Sequence, residues 1–350
     1  MGDRSRPSAE EIHARLRQKL GHALPEAELS RKAWLAHEIH RLKRERNAVI
    51  LGHNYMEPAL FHSIPDFVGD SLELSRQAVR TDKDVIVFCG VRFMAETAKI
   101  LNPAKAVLLP SLEAGCSLAA GITADDVRRL RRMFPGVPVV TYVNTYADVK
   151  AESDVCCTSG NAAAVVKSLG ADTVMFLPDE YMAQNVARQL GKDVVFPEMG
   201  AGAPSARDVA GRIIGWRGRC EVHEQFTVEH VARARERYPD AVVLAHPECR
   251  PDVVAAADFS GSTSAMVRFV ETGTAPRYLL LTECAMADNI SPAHPDKELL
   301  RLYPVRCPHM NRITLENTFE ALRDNRHVIS VPEDIRVRAA RAVERMIAIG

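Results

Sequence analysis

Three similar arrangements of apolar and polar positions follow one another along the chain. Each begins with a short apolar run, at 49–51, 139–141 and 242–244, and contains a second one, at 85–88, 173–177 and 278–281. A polar cluster follows the first run, and a turn that carries a lone cysteine comes after the second. Short apolar runs bounded by turn residues are typical of buried strands. The pattern therefore predicts three copies of one structural unit.

Stretches with helical spacing of apolar residues separate these strands. They lie at 71–80, 91–101, 161–169, 180–190, 229–237 and 264–271. Strands that alternate with helices indicate an α/β fold with parallel sheets and crossover helices. The charged residues 8–46 predict a helix that Ser8 caps, and residues 312–350 predict a helix that packs back on the first unit.

We divide the chain into three αβα units, at 34–127 (with the C-terminal helices 323–350), 128–225 and 226–322. Segment 198–212 lengthens the second unit and is interpreted as an insertion of unassigned function. Parallel α/β sheets bind ligands beyond the carboxyl ends of their strands. We therefore expect three similar αβα domains around a pseudo-three-fold axis, with the active site at their common interface.

The composition argues against several classes of function. The 350 residues are 47% hydrophobic and 26% charged, with a formal net charge of zero. This is ordinary for a globular enzyme and gives no electrostatic case for nucleic acid or a membrane surface. No apolar run approaches the ~18 residues of a membrane helix, and the polar N-terminus lacks the apolar region of a signal peptide. Eight cysteines in such a chain predict a reducing, cytoplasmic location.

Three cysteines occupy equivalent turns, namely Cys116, Cys220 and Cys307. Three thiolates from distant loops suit a cubane iron–sulfur cluster with one iron free of protein ligands, and a proline such as Pro308 is found beside such ligands. Zinc is the competing metal, although structural zinc draws on local C-x-x-C pairs, which this chain lacks. The others are interpreted as small buried hydrophobic residues: Cys89, Cys156, Cys157, Cys249 and Cys284.

Pairs of polar residues two positions apart follow the first strand of each unit. The pairs are His53 with Tyr55, Tyr142 with Asn144, and His246 with Glu248. Residues i and i+2 of an extended segment point the same way, so each pair can project into a shared cavity. His, Tyr and Glu can transfer protons when their pKa values are tuned. The pairs are therefore candidate acid–base groups.

Hydroxyl side chains precede one helix in each unit: Ser71, Ser159, and Ser262 with Thr263. Capping is the commonest task of such residues, but a helix N-terminus with a hydroxyl also binds anions. Three such positions around one cavity predict a substrate with several carboxylate or phosphate groups. The chain has neither a Walker A motif nor G-x-G-x-x-G, so no nucleotide cofactor is expected.

The chain resembles the quinolinate synthase family over nearly all of its length after about residue 30. The motifs that carry the resemblance are GHNY (52–55), VGDSLEL (68–74), FMAETAKILNP (93–103), EAGCSLA (113–119), YVNTYADVKAESD (142–154), CTSGNA (157–162), FLPD (176–179), GRCEVH (218–223), HPEC (246–249), SGSTSAM (260–266) and CPHMNRITLENT (307–318). The resemblance implies three αβα domains around a pseudo-three-fold axis. It also implies a transferase of NAD biosynthesis that makes quinolinate, phosphate and two waters from iminoaspartate and dihydroxyacetone phosphate, with L-aspartate oxidase as a candidate partner.

By the same resemblance, one [4Fe–4S] cluster per chain is held by Cys116, Cys220 and Cys307, and its open iron acts as a Lewis acid. Tyr55 and Glu248 would transfer protons. The remaining roles are orientation or proton donation (His53, His246), contact with the intermediate (Tyr142, Asn144), binding of carboxylate or phosphate oxygens (Ser71, Ser159, Ser262, Thr263) and lining of the cluster side (Met310). Unlike some members, the chain has Pro304 where a C-x-x-C ending at the last ligand would begin. Thiol–disulfide regulation of that motif is therefore not implied.

Two other functions stay open on the residues alone. One is an iron–sulfur sensor or electron-transfer protein, although such clusters usually have four cysteine ligands. The other is a zinc-dependent, aldolase-like enzyme. Metal analysis of anaerobically prepared protein separates these alternatives.

Overall fold

The computed structural model describes residues 7–198 and 207–349. Part of the predicted insertion at 198–212 lies outside the described residues. Within them, strands and helices alternate along most of the chain, as the apolar pattern predicts. None of the described helices combines the length and the apolar character that a bilayer crossing requires.

The described residues form three sheets, in which every strand pair is parallel. Their orders are β2-β1-β3-β4, β6-β5-β7-β9-β8 and β11-β10-β12-β13. The strands are β1 (Ala48–His53), β2 (Phe67–Gly69), β3 (Val85–Cys89), β4 (Ala106–Leu108), β5 (Val139–Tyr142), β6 (Val155–Cys157), β7 (Val174–Leu177), β8 (Val194–Val195), β9 (Ile213–Gly215), β10 (Ala241–Ala245), β11 (Phe259–Ser260), β12 (Arg277–Leu281) and β13 (Glu298–Leu300).

The helices of the described part are α1 (Ala9–Leu20), α2 (Glu26–Glu45), α3 (Pro58–Phe61), α4 (Ser71–Arg80), α5 (Arg92–Leu101), α6 (Ser117–Ala120), α7 (Ala124–Met133), α8 (Ala147–Ala151), α9 (Ala162–Ser168), α10 (Glu180–Leu190), α11 (Val228–Arg237), α12 (Pro251–Ala256), α13 (Thr263–Thr272), α14 (Ala285–Ile290), α15 (Leu315–Asp324) and α16 (Glu333–Ala348). Helices and strands follow the same order in each unit, except that the second unit has an additional strand, β8. The prediction of an α/β fold built from three similar αβα domains is therefore confirmed.

The first strand of each unit is internal to its sheet. β1 lies between β2 and β3, β5 between β6 and β7, and β10 between β11 and β12. Strands buried on both faces are near-continuous apolar runs, and alternate side chains pack into different cores. In β5, for example, Val140 packs into the large core shared by the units, whereas Val139 packs into a separate core with Met175 and Ile214. The carboxyl ends of these internal strands therefore have fixed positions.

The helices near the two chain ends are each divided, where the sequence predicted one. Ser8 caps α1 as expected, with its side chain accepting the N–H of Glu11, but the segment 21–25 separates α1 from α2. At the other end, Asn325 adopts a left-handed conformation with φ of 54° and ends α15, so the expectation of one helix over 312–350 is wrong. α15 packs on α2, and α16 packs on α8 and β6 of the second unit as well as on α5 of the first.

Candidate active site

The carboxyl ends of β1, β5 and β10 meet at one cavity. Its lining includes thirteen of the fourteen predicted site residues: His53, Tyr55, Ser71, Cys116, Tyr142, Asn144, Ser159, Cys220, His246, Glu248, Thr263, Cys307 and Met310. The remaining one, Ser262, lines a wider cavity next to it. The three units thus bring together side chains that lie far apart in the sequence.

The two histidines that follow β1 and β10 are held in the same way. Nδ1 of His53 accepts the backbone N–H of Tyr55 at 3.2 Å, and Nδ1 of His246 accepts that of Glu248 at 3.3 Å. Burial lowers the pKa of His53 to about 4 and that of His246 to about 3, so both rings are neutral near pH 7. A neutral ring that accepts at Nδ1 carries its proton on Nε2. Both histidines are therefore hydrogen-bond donors at Nε2 rather than acids.

Glu248 is the centre of a buried polar network. Its Oε1 accepts the hydroxyl of Tyr142 at 2.5 Å and the amide of Asn144 at 3.4 Å. Its Oε2 lies 2.8 Å from Nδ1 of His223. Burial raises the pKa of the Glu248 carboxyl, but the nearby ring of His223 and the hydrogen bonds from His223 and Tyr142 outweigh it and lower the pKa overall. Glu248 is therefore an ionised, fully partnered carboxylate.

His223 is a site residue that the sequence analysis missed. It is buried, and its Nδ1 lies 3.2 Å from Sγ of Cys220 as well as near Glu248. Its Nε2 lies 2.9 Å from Oγ1 of Thr282, and its ring stacks on that of His246 with centroids 4.5 Å apart. The available signal was its position three residues after Cys220, inside the motif GRCEVH.

Tyr55 joins the same network through Thr282, which follows β12. The hydroxyls of Tyr55 and Thr282 are hydrogen-bonded. Burial raises the pKa of Tyr55 well above its ordinary value, and the charge of Glu248 adds to this. Tyr55 is therefore a protonated phenol, one hydroxyl away from His223.

The predicted hydroxyl side chains have different local tasks. Asp70, not Ser71, caps α4 by accepting the N–H of Glu73, so Ser71 is free of the capping task. Ser262 does cap α13, accepting the N–H of Ala265 at 3.3 Å. The other two lie close by, with Ser159 lining the site cavity and Thr263 Oγ1 accepting the amide of Asn54 at 2.9 Å.

The three cysteines of the cavity share one local geometry. Each sulfur accepts backbone N–H groups from the residues two and three positions later, for example His309 and Met310 at Cys307. The Met310 N to Cys307 Sγ distance is 3.5 Å. Burial raises the pKa of Cys116 to about 12 and that of Cys307 to about 11, and the amide donors oppose this increase. Amide hydrogen bonds to the sulfurs also occur at iron–sulfur ligands. The three turns thus fit the cluster that the resemblance implies.

The spacing of these sulfurs argues against a single ion held by all three. Zinc–sulfur bonds of ~2.3 Å would hold three thiolates within about 3.8 Å of one another. The sulfurs of Cys116, Cys220 and Cys307 do not all lie within even 4.8 Å of one another.

The five other cysteines lie outside this arrangement. Those at 89, 156, 157 and 249 are fully buried, and Cys284 is half-buried. Burial raises the pKa of Cys89 to about 12 and that of Cys156 to about 11. Their structural environment is that of buried apolar side chains, as the sequence indicated.

Three αβα units that share one buried cavity, lined by three equivalent cysteines and a carboxylate–histidine–tyrosine network, define a three-domain α/β protein with a single composite site. A family model described as "Quinolinate synthetase A protein" matches residues 37–348. The chain belongs to this family.

Similar proteins cover most of the chain. "Quinolinate synthase 2" of Mesorhizobium japonicum is 56% identical over 308 residues, which are 88% of this chain and 89% of that protein. "Quinolinate synthase" of Xylella fastidiosa strain 9a5c is 54% identical, covering 89% of this chain and 86% of the relative. "Quinolinate synthase 1" of Mesorhizobium japonicum is 51% identical over 98% of both chains.

Proposed function

We propose that the chain is a quinolinate synthase that condenses iminoaspartate with dihydroxyacetone phosphate. The products are quinolinate, phosphate and two waters, and the atoms balance without an oxidant or a reductant. The observation that carries the proposal is the contact chain from the carboxylate of Glu248 through His223 to the sulfur of Cys220. Membership of the family and the names of the relatives support the same reaction.

Cys116, Cys220 and Cys307 would hold the [4Fe–4S] cluster, because their sulfurs line one cavity and each accepts two backbone amides. When bound, such a cluster supplies a Lewis acid for the loss of hydroxyl groups. The three cysteines would therefore act only as cluster ligands. Proton transfer would be carried out by the side chains around them.

The reaction needs protons removed from carbon and nitrogen and delivered to departing oxygens. Glu248 is ionised and Tyr55 is a phenol, so Glu248 would be the proton acceptor and Tyr55 the donor. The lowered pKa of Glu248 and the raised pKa of Tyr55 make them a weaker base and a weaker acid than usual, so bound substrate would have to shift both toward the working pH. The Nε2–H groups of His53 and His246 would bind substrate oxygens. The groups that would position the substrate by hydrogen bonds are Ser71, Tyr142, Asn144, Ser159, Ser262 and Thr263, and Met310 would contact it from the cluster side of the cavity.

Iminoaspartate is an imine that water hydrolyses, so an aspartate-oxidising enzyme has to supply it close by. L-Aspartate oxidase is the proposed source, and the cytoplasm is the proposed location. All eight cysteines are free, which suits a reducing compartment.

Iron analysis of anaerobically prepared variants tests the ligand set. The parent protein is expected to carry about four iron and four sulfide per chain, as a cubane requires. Replacing Cys116, Cys220 or Cys307 with Ala should each remove the cluster. Cys89→Ala is the matched control, because Cys89 is a buried thiol outside the cavity.

A mononuclear site is the second candidate. One ligand atom from each of Cys220, His223 and Glu248 lies within 4.8 Å of the others, which is close enough for a single ion. The two sites make opposite predictions for Cys307→Ala. That variant removes a cluster, but it leaves a mononuclear zinc site intact with about one metal per chain. Retention of one zinc and of aldolase-like turnover would overturn the proposed function.

A further inference from the structure

A wide cavity of about 1100 Å³ adjoins the candidate active site. Asp70 and Ser159 line both cavities, so the two are contiguous. The walls of the wide cavity come from all three units, through α4, α9 and α13. We call this wide cavity the vestibule.

The vestibule carries one cation from each unit at the same helical position. In each unit the cation lies six residues after the N-cap of its helix. The cations are Arg76 after Asp70 in α4, Lys167 after Asn161 in α9, and Arg268 after Ser262 in α13. All three side chains line the vestibule. The repeat that places the polar groups of the site therefore also places a ring of positive charge around the vestibule. We refer to Arg76, Lys167 and Arg268 as the cationic ring.

The vestibule is positive although the chain as a whole has a formal net charge of zero. Arg188 of α10 adds a fourth cation, and the acidic residues of its lining are Asp70 and Glu73. Lys167, Arg188 and Arg268 are exposed, and among the described residues none of them forms an ion pair. The guanidinium of Arg76 donates to the carbonyl of Ile347 at 3.3 Å, and this hydrogen bond holds the Arg76 side chain against the wall of the vestibule.

We propose that the vestibule is the route by which anionic substrates reach the site, and that the cationic ring captures and guides them. The inference rests on the proposed function for the identity of the ligands, which are small dianions. A cleft lined by one sign of charge raises association rates by about 10- to 1000-fold. The vestibule has four cations and two carboxylates, so its effect should fall at the low end of this range. The field extends over a Debye length of about 8 Å at physiological salt, so it weakens steeply as salt is added.

The test measures association directly, because turnover can be limited by later steps. The rate constant for binding of pyridine-2,3-dicarboxylate to the cluster-loaded protein is followed by stopped-flow absorbance. Lys167→Gln combined with Arg268→Gln is expected to reduce it by about 3- to 10-fold at ~10 mM ionic strength, with the difference vanishing near ~0.5 M salt. Arg188→Gln alone should give a smaller reduction of the same kind.

Two controls isolate the effect of position. Arg132→Gln combined with Arg233→Gln removes the same total charge from exposed helix positions outside the vestibule, and should leave the association rate within ~2-fold of the parent. The uncharged pyridine-2,3-dicarboxamide should associate with the parent and the ring variant at equal rates.

Equal association rates and salt slopes for the parent and the ring variant would overturn the inference. A change confined to the dissociation rate would overturn it too, since the ring would then hold the ligand without guiding it. Neither result affects the proposed function. A parent that binds the dicarboxylate with a steep salt slope but forms no quinolinate would instead reject the proposed function and keep the vestibule.

Discussion

Oε2 of Glu248 lies 2.8 Å from Nδ1 of His223, and the same nitrogen lies 3.2 Å from Sγ of Cys220. One imidazole nitrogen is thus shared by a carboxylate and a cysteine sulfur, and all of them line one cavity. A buried carboxylate is stable only when partnered. Glu248 contacts Cys220 only through His223. A substitution of Glu248 should therefore affect proton transfer directly and the metal centre only indirectly.

Glu248→Gln tests the carboxylate as a proton-transfer group. The amide keeps the size of the side chain and one acceptor oxygen for Tyr142 and Asn144. It cannot titrate, so kcat should fall by roughly 10²–10⁴-fold. Binding of a product-like dicarboxylate, measured by the absorbance of the loaded protein, should survive, and iron content should stay at the parent level.

Glu221→Gln is the matched control for this variant. Glu221 lines the same cavity but pairs with His309 at 2.9 Å and is 41% exposed, so its replacement should change kcat by less than ~10-fold. Near-normal turnover of fully loaded Glu248→Gln would make Tyr55 the leading candidate for proton transfer.

Thr282→Val tests the hydroxyl that connects Tyr55 with His223. Valine keeps the shape of the side chain but leaves the phenol and Nε2 of His223 without their partner. Unpartnered buried polar groups cost about 1–3 kcal/mol of folding stability. Because Tyr55 also loses the contact that orients its phenol, kcat should fall by at least ~10-fold, which corresponds to about 1.4 kcal/mol of activation free energy. Thr282→Ser restores the hydroxyl and should restore most of the activity. If kcat of Thr282→Val equalled that of the parent, Tyr55 would act independently of His223.

The sequence is most informative where a local feature decides the structure. The predicted ranges 71–80 and 180–190 match α4 and α10 because capping is local. Asp70 and Asp179 cap the N-termini, and Gly191 ends α10 in a left-handed conformation with φ of 67°. The pairs two residues apart line the cavity as expected, but the extended backbone predicted for them is wrong. His53 and His246 each begin a turn, in which their carbonyls accept the N–H groups of Met56 and Cys249.

The parts that sequence reasoning missed depend on packing between units. The strands β2, β6 and β11 have two or three residues each, too few for a recognisable period. The only local signal for His223 is its position three residues after Cys220, because its burial and its stacking on His246 exist only once the second and third units meet. Thr282 likewise lies far in sequence from Tyr55.

Lys150→Met tests the support of the loop that carries Tyr142 and Asn144. Lys150 is fully buried, and its Nζ donates to the carbonyls of Val143, at 2.8 Å, and Thr145. Methionine leaves both carbonyls without this donor, so the free energy of unfolding should fall by about 2–4 kcal/mol. Substrate KM should rise because Asn144 lies between the two carbonyls.

Lys192→Met is the surface counterpart. Nζ of Lys192 also donates to two carbonyls, those of Asp172 and Gly211, at 2.6 and 3.3 Å. Water can replace a donor at this exposed position, so the loss should stay below about 1 kcal/mol. Denaturant unfolding of both variants measures the difference, and equal losses would mean that burial does not set the cost.

The stability of the folded protein should depend on pH through His40. Burial, with Lys43 nearby, lowers the pKa of His40 to about 4, and its Nε2 lies 3.0 Å from the carbonyl of Ser63. The ring is neutral in the folded protein and titrates near pH 6.5 when unfolded. Between pH 6.5 and about 4 the unfolded chain therefore binds more protons, and stability falls as the pH is lowered, by up to ~1.4 kcal/mol per pH unit for this group.

His40→Gln keeps a donor for Ser63 but cannot titrate, so its stability should fall less steeply than that of the parent between pH 6.5 and 4.5. Above pH 7 the two should differ only by a constant, because His40 is then neutral in both states. Denaturant unfolding at a series of pH values measures this, with the exposed His22→Gln as control. Parallel curves for His40→Gln and the parent would show that His40 takes up its proton in the folded state as readily as in the unfolded one, which would contradict the effect of its burial.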